Sequence, residues 1–182
     1  NTIHNYGVNT TALVYWGGPD GYAAGHRTVL PTLMASGVAA ADFNRDGVVD
    51  LVFSNQGIEE ADRFGLDHHL ESYLYWGGPT GYTESNRAII PSVSAVNCAT
   101  ADLDHDGYPE LLLVNNNSQQ KSCYLYWGGA GGFVENRRTI LTGGDPVGAC
   151  FADLDRDGKT DLILTHRDGR AEIFRGTGHG LE

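Results

Sequence analysis

The chain has 182 residues, 41% of them hydrophobic, and 23 acidic side chains against 12 basic ones, for a net charge of −11. A core is within reach of that composition. An apolar run of about 18 residues, which a membrane-spanning helix needs, is absent, and no basic stripe suited to nucleic acid is present. The acid excess is local, because eleven of the 23 acidic residues fall in three short, nearly identical loops.

In chain order, residues 8–31 read as two strands joined by the turn Tyr15-Trp16-Gly17-Gly18, the second strand starting at Arg27. A strand near 37–41 enters the first loop, Asp42-Phe-Asn44-Arg-Asp46-Gly47-Val48-Val-Asp50, and the apolar run 51–53 leaves it. After a long polar connection, 55–71, come a strand over 73–76, the turn Tyr75-Trp76-Gly77-Gly78 and a strand from Arg87. The pattern then repeats: a strand at 97–101, Asp102-Leu-Asp104-His-Asp106-Gly107-Tyr108-Pro-Glu110, the run 111–114, a strand at 124–127 with Tyr126-Trp127-Gly128-Gly129, and a strand from Arg138. A last set has a strand at 148–152, Asp153-Leu-Asp155-Arg-Asp157-Gly158-Lys159-Thr-Asp161, the run 162–164, and a degraded turn at Phe174-Arg175-Gly176.

The spacing shows a tandem repeat. Each Trp precedes its Arg by 11 residues, and each Arg precedes the next loop Asp by 15. Only the stretch from loop to aromatic-Gly turn varies in length. Labelling the strands of each unit a to d, the acid loop joins a to b, the Gly-Gly turn joins c to d, and the variable stretch joins b to c. Short strands at regular intervals with Gly-rich turns argue for an all-β chain, and a four-stranded unit in tandem argues for the blade of a β-propeller.

The loops carry oxygen-bearing side chains at positions 1, 3, 5 and 9 and Gly at position 6. A hard cation such as Ca²⁺ takes several oxygens at about 2.3–2.6 Å, whereas that many acids without a cation would repel one another. An EF-hand begins in the same way but needs Glu at position 12 and flanking helices. Position 12 here is Phe53, Leu113 or Leu164, inside an apolar run that reads as a buried strand.

The Ala-Asp-Phe/Leu-x-x-Asp-Gly-x-x-Asp/Glu-Leu segment and the Tyr-Trp-Gly-Gly turn resemble the FG-GAP/VCBS repeat family, the repeat of integrin α-subunit propellers and of many secreted bacterial proteins. The resemblance covers nearly the whole chain. It implies about three bound Ca²⁺, one on each a–b loop, with Asp42, Asn44, Asp46 and Asp50, then Asp102, Asp104, Asp106 and Glu110, then Asp153, Asp155, Asp157 and Asp161 as side-chain ligands. The position-7 backbone carbonyls of Val48, Tyr108 and Lys159 complete each expected site. Asn44 lowers the charge of the first loop and Glu110 lengthens the last ligand of the second. Loops of this kind suit compartments rich in calcium, so a secreted or cell-surface setting, and roles such as cell adhesion, are expected.

The expected division is one propeller segment over 1–182: a partial blade of strands c and d at 1–31, blades at 32–91 and 92–142, and a partial blade of strands a to c at 143–182. Propellers commonly have about 4–8 blades, so the remaining blades of a longer chain, or neighbouring copies, are expected to pair with the terminal edges. A ring of six to eight blades or a larger assembly would result.

Function is expected from what differs between units. The b–c connections lie on the edge opposite the acid loops and present a candidate ligand face of Arg63, Asp67, His68, His69, Asn115, His166 and Arg167. The reading is a binding module for carbohydrate or protein. One alternative is part of a secreted polysaccharide-degrading enzyme of lyase type, using the His pair as an acid/base group. Another is a structural module of a surface layer or fibre. No catalytic residue is assigned. Trp16, Trp76 and Trp127 are expected as wedges between blades rather than sugar platforms, and Cys98, Cys123 and Cys150 as small buried residues. Asn9 and Asn116 open N-glycosylation sequons.

Overall fold

Runs of two to four apolar residues between Asp- and Gly-rich turns are too short for helices and long enough for hairpins. The computed structural model describes residues 9–56, 71–116 and 121–182. Thirteen strands form there: β1 (Asn9–Gly18), β2 (Gly21–Leu33), β3 (Ala35–Ala41), β4 (Asp50–Asn55), β5 (Ser72–Tyr75), β6 (Arg87–Ile90), β7 (Ala95–Ala101), β8 (Glu110–Asn116), β9 (Lys121–Tyr126), β10 (Arg138–Thr142), β11 (Pro146–Ala152), β12 (Asp161–His166) and β13 (Ala171–Phe174). The helical elements among the described residues are single 3-10 turns at Glu84–Asn86 and Glu135–Arg137.

The protein is all-β and built of propeller-like blades. Its strands form a β1-β2 ribbon, the four-stranded sheets β3-β4-β5-β6 and β7-β8-β9-β10, and a β11-β12-β13 sheet. Every pairing is antiparallel between strands adjacent in sequence, the up-and-down order of a meander. Each acid loop closes an a–b hairpin, with Ala41 opposite Asp50, Ala101 opposite Glu110 and Ala152 opposite Asp161. Each a strand also carries an irregularity at the same place, after Ala35, Ala95 and Pro146.

The core lies between the sheets. Successive side chains of a strand face opposite ways, so a strand with a sheet on each side must be apolar at consecutive positions. The run 111–114 meets this requirement: Leu111 and Leu113 join Val52 and Leu74 of the preceding sheet, while Leu112 and Val114 join Leu162 and Leu164 of the following one. Phe53 and Tyr75 face back to Leu30 of the ribbon. The tyrosine of the aromatic-Gly turn ties neighbouring sheets together, since the Tyr75 hydroxyl donates to Pro31 O and that of Tyr126 to Pro91 O.

The Trp expectation agrees with the contacts made. Trp16 stacks on Tyr82 of the next sheet with ring centroids 5.7 Å apart. Trp76 lies against Gly132 and Trp127 against Gly180, each in the c–d turn of the sheet that follows. Arg87 and Arg138 sit over Tyr73 and Tyr124 at 4.2 and 4.1 Å and pair with Glu84 and Glu135. Cys98 and Cys123 are buried as expected, their thiols pushed up to about 11 and about 12 by burial. Cys150 is exposed instead, because it lies on the outer face of β11.

Candidate metal loops

The three loops share one backbone path. Position 4 is left-handed in all of them, with φ of 61° at Arg45, 58° at His105 and 64° at Arg156, and the position-6 glycines have φ of 85–86°. Side chains at positions 1, 3 and 5 hold this path by accepting from later amides. Asp42 accepts from Asp46 N and Gly47 N, Asn44 from Asp46 N, and Asp46 from Val48 N. Asp102 accepts from Gly107 N, Asp104 from Asp106 N, and Asp106 from Tyr108 N. Asp153 accepts from Asp157 N and Gly158 N, Asp155 from Asp157 N, and Asp157 from Lys159 N.

The position-9 acid locks the loop to the aromatic-Gly turn. Asp50, Glu110 and Asp161 are 0%, 1% and 2% exposed. Their carboxylates accept from the position-2 amides of Phe43, Leu103 and Leu154 at 2.9, 2.6 and 3.0 Å. They also accept from the amides of Gly77, Gly128 and Gly176 at 2.8, 3.2 and 2.9 Å. Glycine is required there because a Cβ would lie 2.4 Å from Val49 O, Tyr108 O or Thr160 O of the loop. The two repeating motifs are therefore two halves of one joint. Sequence reasoning gave these acids only as metal ligands, because the joint links residues whose separation along the chain differs from unit to unit. Each carboxylate oxygen has two lone pairs, so the joint leaves acceptor capacity free.

Electrostatics differ between loops. Burial raises the carboxyl of Asp50 above its ordinary range and pushes Glu110 up to about 7. Asp161 is held below its ordinary range by the amides of Gly176 and Leu154 and by Arg175. Arg175 Nη1 lies 3.0 Å from Asp155 Oδ2 and 3.3 Å from Asp161 Oδ2, and Lys159 Nζ lies 3.4 Å from Asp157 Oδ2.

The donor set fits a hard cation. Carboxylate oxygens of Asp102, Asp104 and Asp106 lie within 4.8 Å of one another, as do those of Asp153, Asp155 and Asp157. In the second loop Asp102 Oδ1 is buried and has no hydrogen-bond partner among the described residues. A buried carboxylate oxygen left unpaired is costly, and a cation at the centre of the loop would relieve it. In the first loop position 3 is the neutral Asn44, whose amide donates to Asp46 Oδ2 at 2.9 Å. A bridge joins the first two loops: Arg45 Nη1 donates to Asp106 O at 3.2 Å, and the guanidinium sits 5.0 Å from the centre of the Tyr108 ring.

The opposite edge differs from its expectation. Strands b run further than the apolar pattern implies, to Asn55, Asn116 and His166. Asn115 and His166, expected on an exposed ligand face, are buried at these strand ends. The reason is a third repeating bond: Asn55 Oδ1, Asn115 Oδ1 and His166 Nδ1 accept the amides of Leu33, Val93 and Asp145. Each lies 13 residues after the first loop Asp, a constant spacing that could have revealed them. Arg167 is exposed and lies 3.7 Å from Asp145. Lys121 and Asn116 also donate to Asp145 and hold its carboxyl below its usual range. The Asn116 amide nitrogen is further engaged with Pro146 O. Arg63, Asp67, His68 and His69 lie outside the described residues, and the side chain of Asn9 is not described.

Residues 102–164, which hold the second acid loop with its aromatic-Gly turn and the third acid loop, match the family model for the FG-GAP-like repeat. The chain thus contains the repeat that its sequence resembles. It is similar to cartilage acidic protein 1 of Homo sapiens, 30% identical over 158 residues, and of Xenopus tropicalis, 29% identical over 153 residues. The mouse protein of that name is 29% identical over 158 residues. The matched region takes in 77% of this chain and 22% of each relative. No helix among the described residues is long and apolar enough to cross a membrane.

Proposed function

We propose that the chain is a calcium-stabilised extracellular repeat module that binds a protein or carbohydrate ligand through its b–c loops. The observation that carries the calcium reading is the unpartnered, buried Asp102 Oδ1 amid three converging carboxylates. Asp102, Asp104 and Asp106 would hold the ion in the second loop with Glu110 behind them, and the Tyr108 carbonyl is the further oxygen proposed there. The corresponding residues of the other two loops would act likewise. The ion supplies charge neutralisation and rigidity to the a–b turn rather than chemistry on a substrate. An extracellular setting follows from the calcium need of such loops and from relatives named for cartilage.

The b–c edge supports ligand binding because the connections differ between units while the acid-loop edge repeats. Polar loops on a rigid scaffold are where recognition is commonly placed. The test is a pair of melts. EDTA should lower the melting temperature and added calcium should restore it, while magnesium at the same concentration should do so poorly. Identical melting with and without calcium would dispose of the reading.

A further inference from the structure

By acid count the second and third loops are equals, each with four carboxylates. Their surroundings are not equal. Arg175 stands where the other units have Trp16, Trp76 and Trp127. The backbone shows the equivalence: the amides of Trp76, Trp127 and Arg175 donate to Asn86 O, Arg137 O and Glu182 O, and the glycine after each bonds the position-9 acid. The three Trp side chains run forward onto the next sheet. Arg175 turns back into its own loop and places one nitrogen between Asp155 and Asp161, at positions 3 and 9. Lys159 faces Asp157. Three of the four carboxylates of the third loop therefore already meet a cation of the chain itself. In the second loop no ion pair forms to Asp102, Asp104, Asp106 or Glu110 among the described residues, and Arg45 reaches that loop only through the backbone carbonyl of Asp106.

We propose that Arg175 is a built-in counter-ion that makes the third loop the weakest of the three calcium sites. This rests on the calcium reading above. A Ca²⁺ entering the third loop must take Asp155 and Asp161 oxygens from the guanidinium, or bind with a positive charge a few ångströms away. Affinity in oxygen-lined calcium loops follows ligand charge and rigidity, and like charges at that separation repel strongly where water is partly excluded. In the second loop no carboxylate has to be taken from a guanidinium, since Arg45 reaches only the Asp106 carbonyl on the loop's backbone. The first loop has one carboxylate fewer but no guanidinium among its acids, and falls between them. The three loops then form a graded set: the second fills at the lowest calcium level, and the third stays in its arginine-bridged form until calcium is high.

The test uses ¹⁵N-labelled protein, stripped of metal and titrated with calcium. The amides of Gly47, Gly107 and Gly158 report one loop each. Gly107 should respond first and Gly158 last, with a midpoint at least about tenfold higher. Arg175→Gln removes the charge, and Arg175→Trp restores the side chain of the other units. Both should move the Gly158 midpoint down at least about tenfold and leave Gly47 and Gly107 in place. In EDTA, Arg175→Gln should melt below the unsubstituted protein, because the bridge then has no replacement. If Gly158 and Gly107 respond at the same calcium level in the unsubstituted protein, or neither variant moves the Gly158 midpoint, Arg175 has no such role. If none of the three glycines responds, the calcium reading falls and takes this inference with it, an outcome distinguishable from the first.

Discussion

The second and third acid loops share a backbone path, a glycine at position 6 and four carboxylates, yet they handle charge in opposite ways. In the second, Asp102 Oδ1 is buried without a partner and burial pushes Glu110 up to about 7. In the third, the equivalent Asp153 Oδ1 accepts the Asp157 amide, and Asp161 is held low by the Gly176 and Leu154 amides and by Arg175. Leu103 of the second loop is buried in the cluster that holds Leu162 and Leu164 of the following sheet. The third has its guanidinium where a tryptophan would otherwise leave the loop. Counting acids thus measures the demand for a cation only after the chain's own cations have been subtracted.

The widest separation between these loops should come from truncating the position-9 acid. Glu110→Ala leaves the buried amides of Leu103 and Gly128 without an acceptor. Each unsatisfied buried group costs about 1–3 kcal/mol, so the expected loss for the two is about 2–6 kcal/mol in urea unfolding with EDTA present. Asp161→Ala strands the amides of Leu154 and Gly176. It should cost less, because that joint is the more open of the two and Arg175 can turn to solvent. A larger loss for Asp161→Ala than for Glu110→Ala would reverse the comparison.

A smaller effect separates ion binding from the joint. Asp104 makes one local bond, to Asp106 N, so Asp104→Ala should be nearly silent in EDTA. In calcium at about 100 times the dissociation constant it should lose about 2.7 kcal/mol, the stabilisation that one selectively bound ion supplies. Asp155→Ala should show a smaller calcium-dependent loss, since its site starts weaker. Equal losses from both variants in EDTA and in calcium would mean that these acids serve the turn alone.

Much of this was legible in the sequence because it is local or periodic. The run 111–114 announces a strand covered on both faces, and the acids at fixed positions announce the loop. The constant spacing from Trp to Arg and from Arg to loop Asp announces blades. What was not legible depends on contacts between distant residues. Nothing local says that Arg175 turns back rather than forward, that Arg45 reaches the neighbouring loop, or that Glu110 is pinned by Gly128. Asn115 and His166 were misplaced because polar residues after an apolar run read as loop, whereas each is buried to capture an amide of the segment that leads into strand a of its own unit.

The pH dependence of the metal-free protein should also tell the loops apart. Glu110 has a folded value near 7 against an ordinary 4.5. Between those values the folded state holds a proton that the unfolded state has released, so stability falls as pH rises through that window. Asp161 has the opposite sign, because its folded value is lowered: its contribution is present above the ordinary carboxylate range and is lost as pH falls through the lowered value. Urea midpoints in EDTA should therefore decline from about pH 5 to pH 7. Glu110→Gln should flatten that decline, and a decline of the same steepness in the variant would remove Glu110 as its source.

The smallest expected effect tests whether neighbouring loops communicate at all. Arg45 belongs to the first loop, but its guanidinium bonds the Asp106 carbonyl and covers the Tyr108 ring of the second. Both contacts are exposed, where a cation over an aromatic ring contributes about 0.5–1 kcal/mol. Arg45→Ala should cost about that much whether or not calcium is present, and Arg45→Lys should recover only part of it because a point charge lacks the planar stack. His105 occupies the same loop position in the second loop and Arg156 in the third. Arg156→Ala, whose side chain makes no described contact with a neighbouring loop, is the matched control and should be nearly neutral. Equal effects from Arg45→Ala and Arg156→Ala in thermal melts would show that the bridge between the first two loops contributes nothing, and that the loops are independent.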